Sequence, residues 1–284
     1  MKPLRILLCF MIPAIAAQAM AGHVVLEWFA FPVGLLVAVL LTLLLYIWYS
    51  ERPDSPLLRD FASIPMGVTL LAALAAGCLI IGLVPQESPS DNPGLWTSFT
   101  TSWPFVTVLC LLLAHLELIV LRRIRHRGAH RLRFLLIHGG LWLTILSALF
   151  GSADKQYLTV VVGRTEPTRT AYTPDRTVTY TPQTFVLDRF EVDYYANGTP
   201  SHFAATVRID GIPARIEVNT PYTLEWDKKV YLQGYDTARG ERTGYCVLQV
   251  VTQPWEWPLM AGIITLLLGS LLLLFPGKRK GGQA

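Results

Sequence analysis

The chain has 284 residues, of which 52% are hydrophobic and only 15% are charged, and its mean hydropathy is +0.41. An average soluble domain has about 25% charged residues, so this composition excludes an ordinary soluble protein and indicates several membrane helices. The formal net charge is only +4, and many basic residues lie in short segments between apolar runs, a pattern of membrane topology signals rather than of nucleic acid binding.

Six apolar runs follow one another along the chain, at residues 6–20, 28–49, 64–84, 103–121, 134–150 and 260–275. Each is a candidate membrane-spanning helix. The first run leaves two alternatives open, because its small residues, including Ala17-Gln18-Ala19, suit a cleaved signal peptide as well as a retained helix. The sequence therefore predicts five or six spans.

The basic residues predict how these spans are oriented. Lysines and arginines near residues 2–5, 52–59, 122–133 and 278–280 can all lie on one side if there are six spans, whereas the loops at 22–27 and 86–102 contain none. The positive-inside rule then predicts a multi-pass protein of the bacterial cytoplasmic (inner) membrane with a cytoplasmic C-terminus. Residues 153–256 are predicted to lie on the periplasmic, outer side.

This outer region has no spanning run and alternates between apolar and polar residues, as β-strands do. Asn197-Gly198 and Asp210-Gly211 are typical hairpin-turn pairs. The alternation changes phase near residues 188–189, which predicts a β-bulge, and residues 229–235 and 245–251 predict two further strands. The expected fold class is a polytopic α-helical membrane protein with a β-rich antiparallel extracytoplasmic domain inserted before the last helix.

The expected organisation has five segments. An N-terminal helix or signal-like segment (1–22) and an additional transmembrane helix (23–50) precede the core transmembrane helices with their cytoplasmic arginine loop (51–152). The extracytoplasmic β domain (153–256) and the C-terminal helix with its basic tail (257–284) follow.

Two histidines lie inside the apolar runs, where an ionisable ring is costly and marks a candidate functional site. His138 follows Arg133 by five residues and His115 precedes Arg122 by seven, so a rise of 1.5 Å per residue puts the rings about 7–8 Å and about 10 Å into their helices. Two imidazoles at matched depth can hold a haem iron. Arg131 and Arg133 are candidate contacts for the haem propionates.

Simpler explanations of the same residues stay open. His115 can pair with Glu117 or lie near the membrane interface, and His138 can be a hydrogen-bonded packing residue. Gly139 and Gly140, which follow His138, also suit close packing of two helices. The arginine segment is in any case a topology signal.

Several stretches resemble one known family. They are GLVPQ at 82–86, HGGLWLTILSALFGS from His138, FVLDRFEVDYYANGTPSHFAATVRI and IEVNTPYTLEWDKKVYLQGYD in the β region, and QPWEWPLMAGIITLLLGSLLLL at the last span. Together they make residues 61–280 similar to the ResB-like (CcsB) membrane proteins of system II cytochrome c maturation. The two runs before residue 50 lie outside this resemblance.

The resemblance implies a haem-handling subunit that relays haem b across the membrane for thioether attachment to apocytochrome c. It implies a ResC/CcsA-like partner and an axial iron ligand at His138, within a cytochrome c synthase (haem lyase) complex rather than an enzyme acting alone. Membrane lipid is the other expected partner, and nucleic acid is not. His115 is not carried over from the family. Two alternatives stay open: a scaffold or chaperone that does not bind haem, and an accessory subunit of an unrelated transporter.

Overall fold

The computed structural model describes residues 3–86, 96–125 and 130–275. These residues form two compact units, one made of the described residues within 1–153 and 255–275 and the other of residues 154–254. Three features discussed above lie outside the described residues: the centre of the arginine segment (126–129), most of the loop at 86–102 (87–95), and the basic tail beyond residue 275.

The described part of the first unit is helical. Its α-helices are Pro3–Ala21 (α1), Val33–Glu51 (α2), Pro56–Phe61 (α3), Ile64–Leu83 (α4), Trp103–Arg125 (α5), Arg131–Asp154 (α6) and Glu256–Leu271 (α7), with short 3-10 helices at Leu26–Phe29 and Phe99–Thr101. Five of them, α1, α2, α4, α5 and α6, are long and apolar enough to cross a membrane. The apolar helix α7 has 16 residues and is shorter. This confirms the predicted helical membrane layout.

Helix α5 is the central helix of this unit. Of its apolar window 39% is buried, against 22% or less in the other four spans. It packs against α1, α2 and α4. The shared core consists of buried aliphatic side chains from α1, α4 and α5, namely Ile6, Leu7, Met66, Leu70, Leu111, Leu112 and Leu116.

Helices α6 and α7 approach each other closely through glycines. A Cβ atom on Gly140 would lie 2.5 Å from the backbone nitrogen of Leu266, and one on Gly262 would lie 2.7 Å from that of Thr144. Only a residue without a side chain permits such contact between helix backbones. Gly139, by contrast, has open space within 4 Å of its Cβ position, so only the second glycine of the pair has a packing role.

The second unit is a single antiparallel β-sheet. Its eight strands are Gln156–Gly163 (β1), Thr168–Tyr172 (β2), Val178–Tyr194 (β3), Pro200–Ile209 (β4), Ile212–Glu217 (β5), Tyr222–Glu225 (β6), Lys228–Tyr235 (β7) and Tyr245–Thr252 (β8). They are ordered β5-β4-β3-β2-β1-β8-β7-β6. The sheet curls, so that the edge strand β5 also contacts β6 and β7.

Local features of the sequence explain the bulge and the hairpin turns of this sheet. The register of β3 and β4 shifts between Leu187 and Arg189, which confirms the predicted bulge. Because of this extra residue, side chains on both sides of the bulge face the core although their positions differ in parity; they are Phe185, Leu187, Phe190 and Val192. The two predicted hairpin turns are also confirmed.

Cys246 is fully buried in the core of this sheet, on β8. Burial away from water raises the pKa of its thiol to about 12. The thiol is therefore a packing group of the β unit rather than a reactive one.

Candidate functional site

Both intramembrane histidines line the same cavity. This cavity, here called the histidine cavity, has a volume of about 520 Å³ and lies between α4, α5 and α6. Most of its wall is apolar, and its polar lining comes from Ser63, His115, Arg122, Arg123 and His138. Its volume is within the range of about 300–1,000 Å³ that is typical of small-molecule sites.

The end of a short helix holds His115 in place. Phe61 is the last residue of α3, so its carbonyl oxygen has no partner within that helix. The His115 Nδ1 atom lies 2.8 Å from this oxygen. A carbonyl oxygen only accepts, so Nδ1 is the donor and Nε2 keeps its lone pair in the neutral ring.

Gly67 on α4 provides the space in front of His115 Nε2. A Cβ atom at this glycine would lie 2.9 Å from the nitrogen, closer than real contacts allow. Since Gly67 lines the same cavity, its missing side chain opens the wall of the site at the ring nitrogen that could bind a metal.

His138 is held in an equivalent way by its own helix. Its Nδ1 atom lies 3.0 Å from the carbonyl oxygen of Phe134, one turn earlier, so Nδ1 is again the donor and Nε2 keeps its lone pair. The imidazole stacks on the Phe134 ring with a centroid separation of 3.9 Å, and the Arg123 guanidinium carbon lies 5.5 Å from the centroid of that ring. Two contacts therefore fix the orientation of this half-buried side chain.

Anchoring Nδ1 on a backbone carbonyl is usual for a histidine that binds a metal through Nε2. Among residues 3–86, 96–125 and 130–275, no group of three or more His, Cys, Asp or Glu side chains is arranged to hold a metal ion.

The arginines that line the cavity are not the ones that the sequence predicts as propionate contacts. Arg122 and Arg123, in the last turn of α5, line the histidine cavity, whereas Arg131 and Arg133, in the first turn of α6, are not among the residues that line it. Arg122 follows His115 by seven residues, two helical turns, so the helical period could have identified it. The assignment of Arg131 and Arg133 to propionates stays a prediction.

Glu117 is not the partner of His115. Residues two positions apart on a helix point in nearly opposite directions, and Glu117 lines a second cavity on another side of α5. The hydrogen bond of His115 is made to Phe61 instead.

The structure thus defines a class, a polytopic helical membrane protein with an inserted antiparallel β unit and a cavity lined by two histidines. Comparison with protein families adds a match of residues 126–245 to the model of the ResB-like family, and this confirms the resemblance seen in the sequence. The matched segment includes His138 and most of the β unit.

Comparison with solved structures finds the "Cytochrome c Heme Lyase CcmF", with a TM-score of 0.39 and 17% sequence identity. The alignment covers 74% of this chain but only 34% of that protein, so the chain spans about a third of its length. No curated protein sequence matches the chain.

Proposed function

We propose that this protein is a haem-handling subunit of a cytochrome c maturation complex, in which His138 holds the iron of haem in transit across the membrane. The single observation that carries the proposal is the pair of imidazoles lining one cavity, each with Nδ1 anchored on a backbone carbonyl and Nε2 left as the ligand atom. The similarity of residues 126–245 to the ResB-like family supports the same function.

The residues present fit haem as the cargo of this cavity. Haem would supply an iron that imidazole nitrogen can bind and two anionic propionates. His138 would hold the iron and His115 would be the candidate second ligand, while the apolar wall would exclude water. Arg122 and Arg123 would form charge-assisted pairs with the propionates.

A subunit of this kind is expected to act with others. The relay proposal includes a ResC/CcsA-like membrane partner and an apocytochrome c that receives the haem through thioether bonds. Residues 154–254, the β unit, are the proposed docking part for these partners, with the haem itself entering from the side on which the arginines of α5 lie.

The test is the visible spectrum of the full-length chain, purified with its partner where the two co-purify. Wild-type protein should show a Soret band, and His138→Ala should lose or shift it, with recovery on adding imidazole to fill the vacated ligand position. His202→Ala is the matched control, because this histidine lies in the β unit, where its closest charged groups are Asp193 and Glu217.

The alternative is a scaffold that holds apocytochrome or partner without binding haem. It predicts that His138→Ala changes neither the spectrum nor the yield of mature cytochrome c. A complex that carries its full complement of haem with this variant would therefore refute the relay and support the scaffold.

A further inference from the structure

A second cavity in the helical unit has a shape and chemistry different from those of the histidine cavity. Its lining comes from α1, α2, α5, α6 and the 3-10 helix at Leu26–Phe29, and its volume is about 520 Å³. None of the described residues lines both cavities, which lie on different faces of α5. We call this second cavity the apolar slot.

The slot is long and narrow. Its lining on α5 runs from Trp103 to Glu117, which is about 21 Å at a rise of 1.5 Å per residue. A volume of about 520 Å³ for atom centres, spread over this length, gives a mean width of about 5–6 Å, or about 8–9 Å between van der Waals surfaces. A helix with its side chains is about 10–12 Å across and does not fit. A single hydrocarbon chain, which packs at carbon–carbon distances of about 4 Å, does.

One charged group lies at one end of this slot. Among the described residues that line it, Glu117 is the only one with a formal charge, and the polar groups beside it are few and neutral, such as Thr42, Thr107 and Cys110. The Oε1 atom of Glu117 is shielded from solvent and has no hydrogen-bond partner within the described residues. A shielded carboxyl oxygen in apolar surroundings is costly unless a donor reaches it.

We infer that the apolar slot binds a membrane lipid that carries an ammonium head group, with one acyl chain along α5 and the ammonium donating to Glu117. Phosphatidylethanolamine has this chemistry. Glu117 lies five residues before Arg122, so the ammonium would be about 7–8 Å from the basic end of α5, near the boundary of head groups and chains. An anionic head group would be repelled by the carboxylate.

Native mass spectrometry of the full-length chain in detergent can test this inference. The two probes are palmitoyl-oleoyl phosphatidylethanolamine and the phosphatidylcholine with the same chains, whose quaternary nitrogen has no N–H to donate. The ethanolamine lipid should bind about tenfold more tightly, the factor expected for one hydrogen bond to a charged group. Equal affinity of the two lipids would overturn the inference.

Two variants separate the head-group contact from the chain contact. Glu117→Gln should remove the preference between the lipids, while Glu51→Gln, at the exposed end of α2, should keep it. Ala38→Leu fills the slot wall at a buried position with Glu117 intact, and it should lower the binding of both lipids. A preference that survives Glu117→Gln, or binding unchanged in Ala38→Leu, would place the lipid elsewhere and refute the slot.

Discussion

The two glycines after His138 provide a matched pair of substitutions on one helix. A Cβ at Gly140 would lie 2.5 Å from the backbone nitrogen of Leu266 and 2.9 Å from the carbonyl oxygen of Gly262, whereas a Cβ at Gly139 meets nothing within 4 Å. Both changes to alanine gain the same helix propensity, about 1 kcal/mol. The difference between them therefore isolates the packing of α6 against α7.

We expect Gly140→Ala to be less stable than Gly139→Ala by about 1–3 kcal/mol, the usual cost of an overpacked contact. Backbone atoms cannot rotate away as a flexible side chain does, so the helices must separate by about 1 Å to restore van der Waals distances. At about 2–4 °C per kcal/mol, the apparent thermal midpoints should differ by about 2–12 °C.

The assay is thermal unfolding of the full-length chain in detergent, followed by circular dichroism, with the two variants measured side by side. Gly139→Ala should unfold at or slightly above the wild-type midpoint. Equal midpoints for the two variants, or a lower one for Gly139→Ala, would refute the backbone contact between α6 and α7.

Three further expectations concern single residues. Gly67→Ala should lower haem occupancy severalfold without unfolding the protein, as measured by the Soret absorbance. Gly82→Ala, on the same helix, has open space at its Cβ position and should leave the occupancy unchanged. An equal loss of haem in both variants would contradict a role for Gly67. Cys246, with its raised pKa of about 12, should react with maleimide only after unfolding, as peptide mapping would show, and rapid labelling of native protein would refute its burial. Hydrogen bonds from Thr184 lower the pKa of Asp210. The ionised carboxylate therefore stabilises the folded state above the unfolded-state pKa of about 3.9, and this stabilisation is lost as the pH falls through the folded-state pKa. Asp210→Asn should therefore show a smaller drop in the thermal midpoint between about pH 4 and pH 2 than wild type, and an equal drop would count against this hydrogen bonding.

The parts of the fold that local chemistry determines could be predicted from the sequence. Long apolar runs identified the spans, and turn pairs such as Asp210-Gly211, both with positive φ, identified the hairpins. The bulge could be predicted because the inward-facing positions change parity around residues 188–189. The order of strands in the sheet could not be predicted, since it depends on pairing between residues far apart in the chain.

The site was predictable only in part for the same reason. The depth of His115 and His138 follows from counting residues along two helices joined by a short segment. The partner of His115 is the carbonyl of Phe61, and the space before its ring comes from Gly67; both contacts require α3 and α4 to pack beside α5. The apolar slot is likewise a product of helix packing, and only the intramembrane position of Glu117 signals it in the sequence.

Strands β1 and β8 are neighbours in the middle of the sheet and pair along their whole length, from Gln156 opposite Thr252 to Gly163 opposite Tyr245. The polypeptide thus leaves the β unit within one interstrand spacing, about 4.8 Å, of where it enters. A module with such adjacent ends is a self-contained insertion, and a linker of a few residues could bridge the gap if it were excised. Replacing residues 156–252 with a short Gly-Ser connection would therefore yield a minimal helical protein in which haem retention can be measured without the sheet.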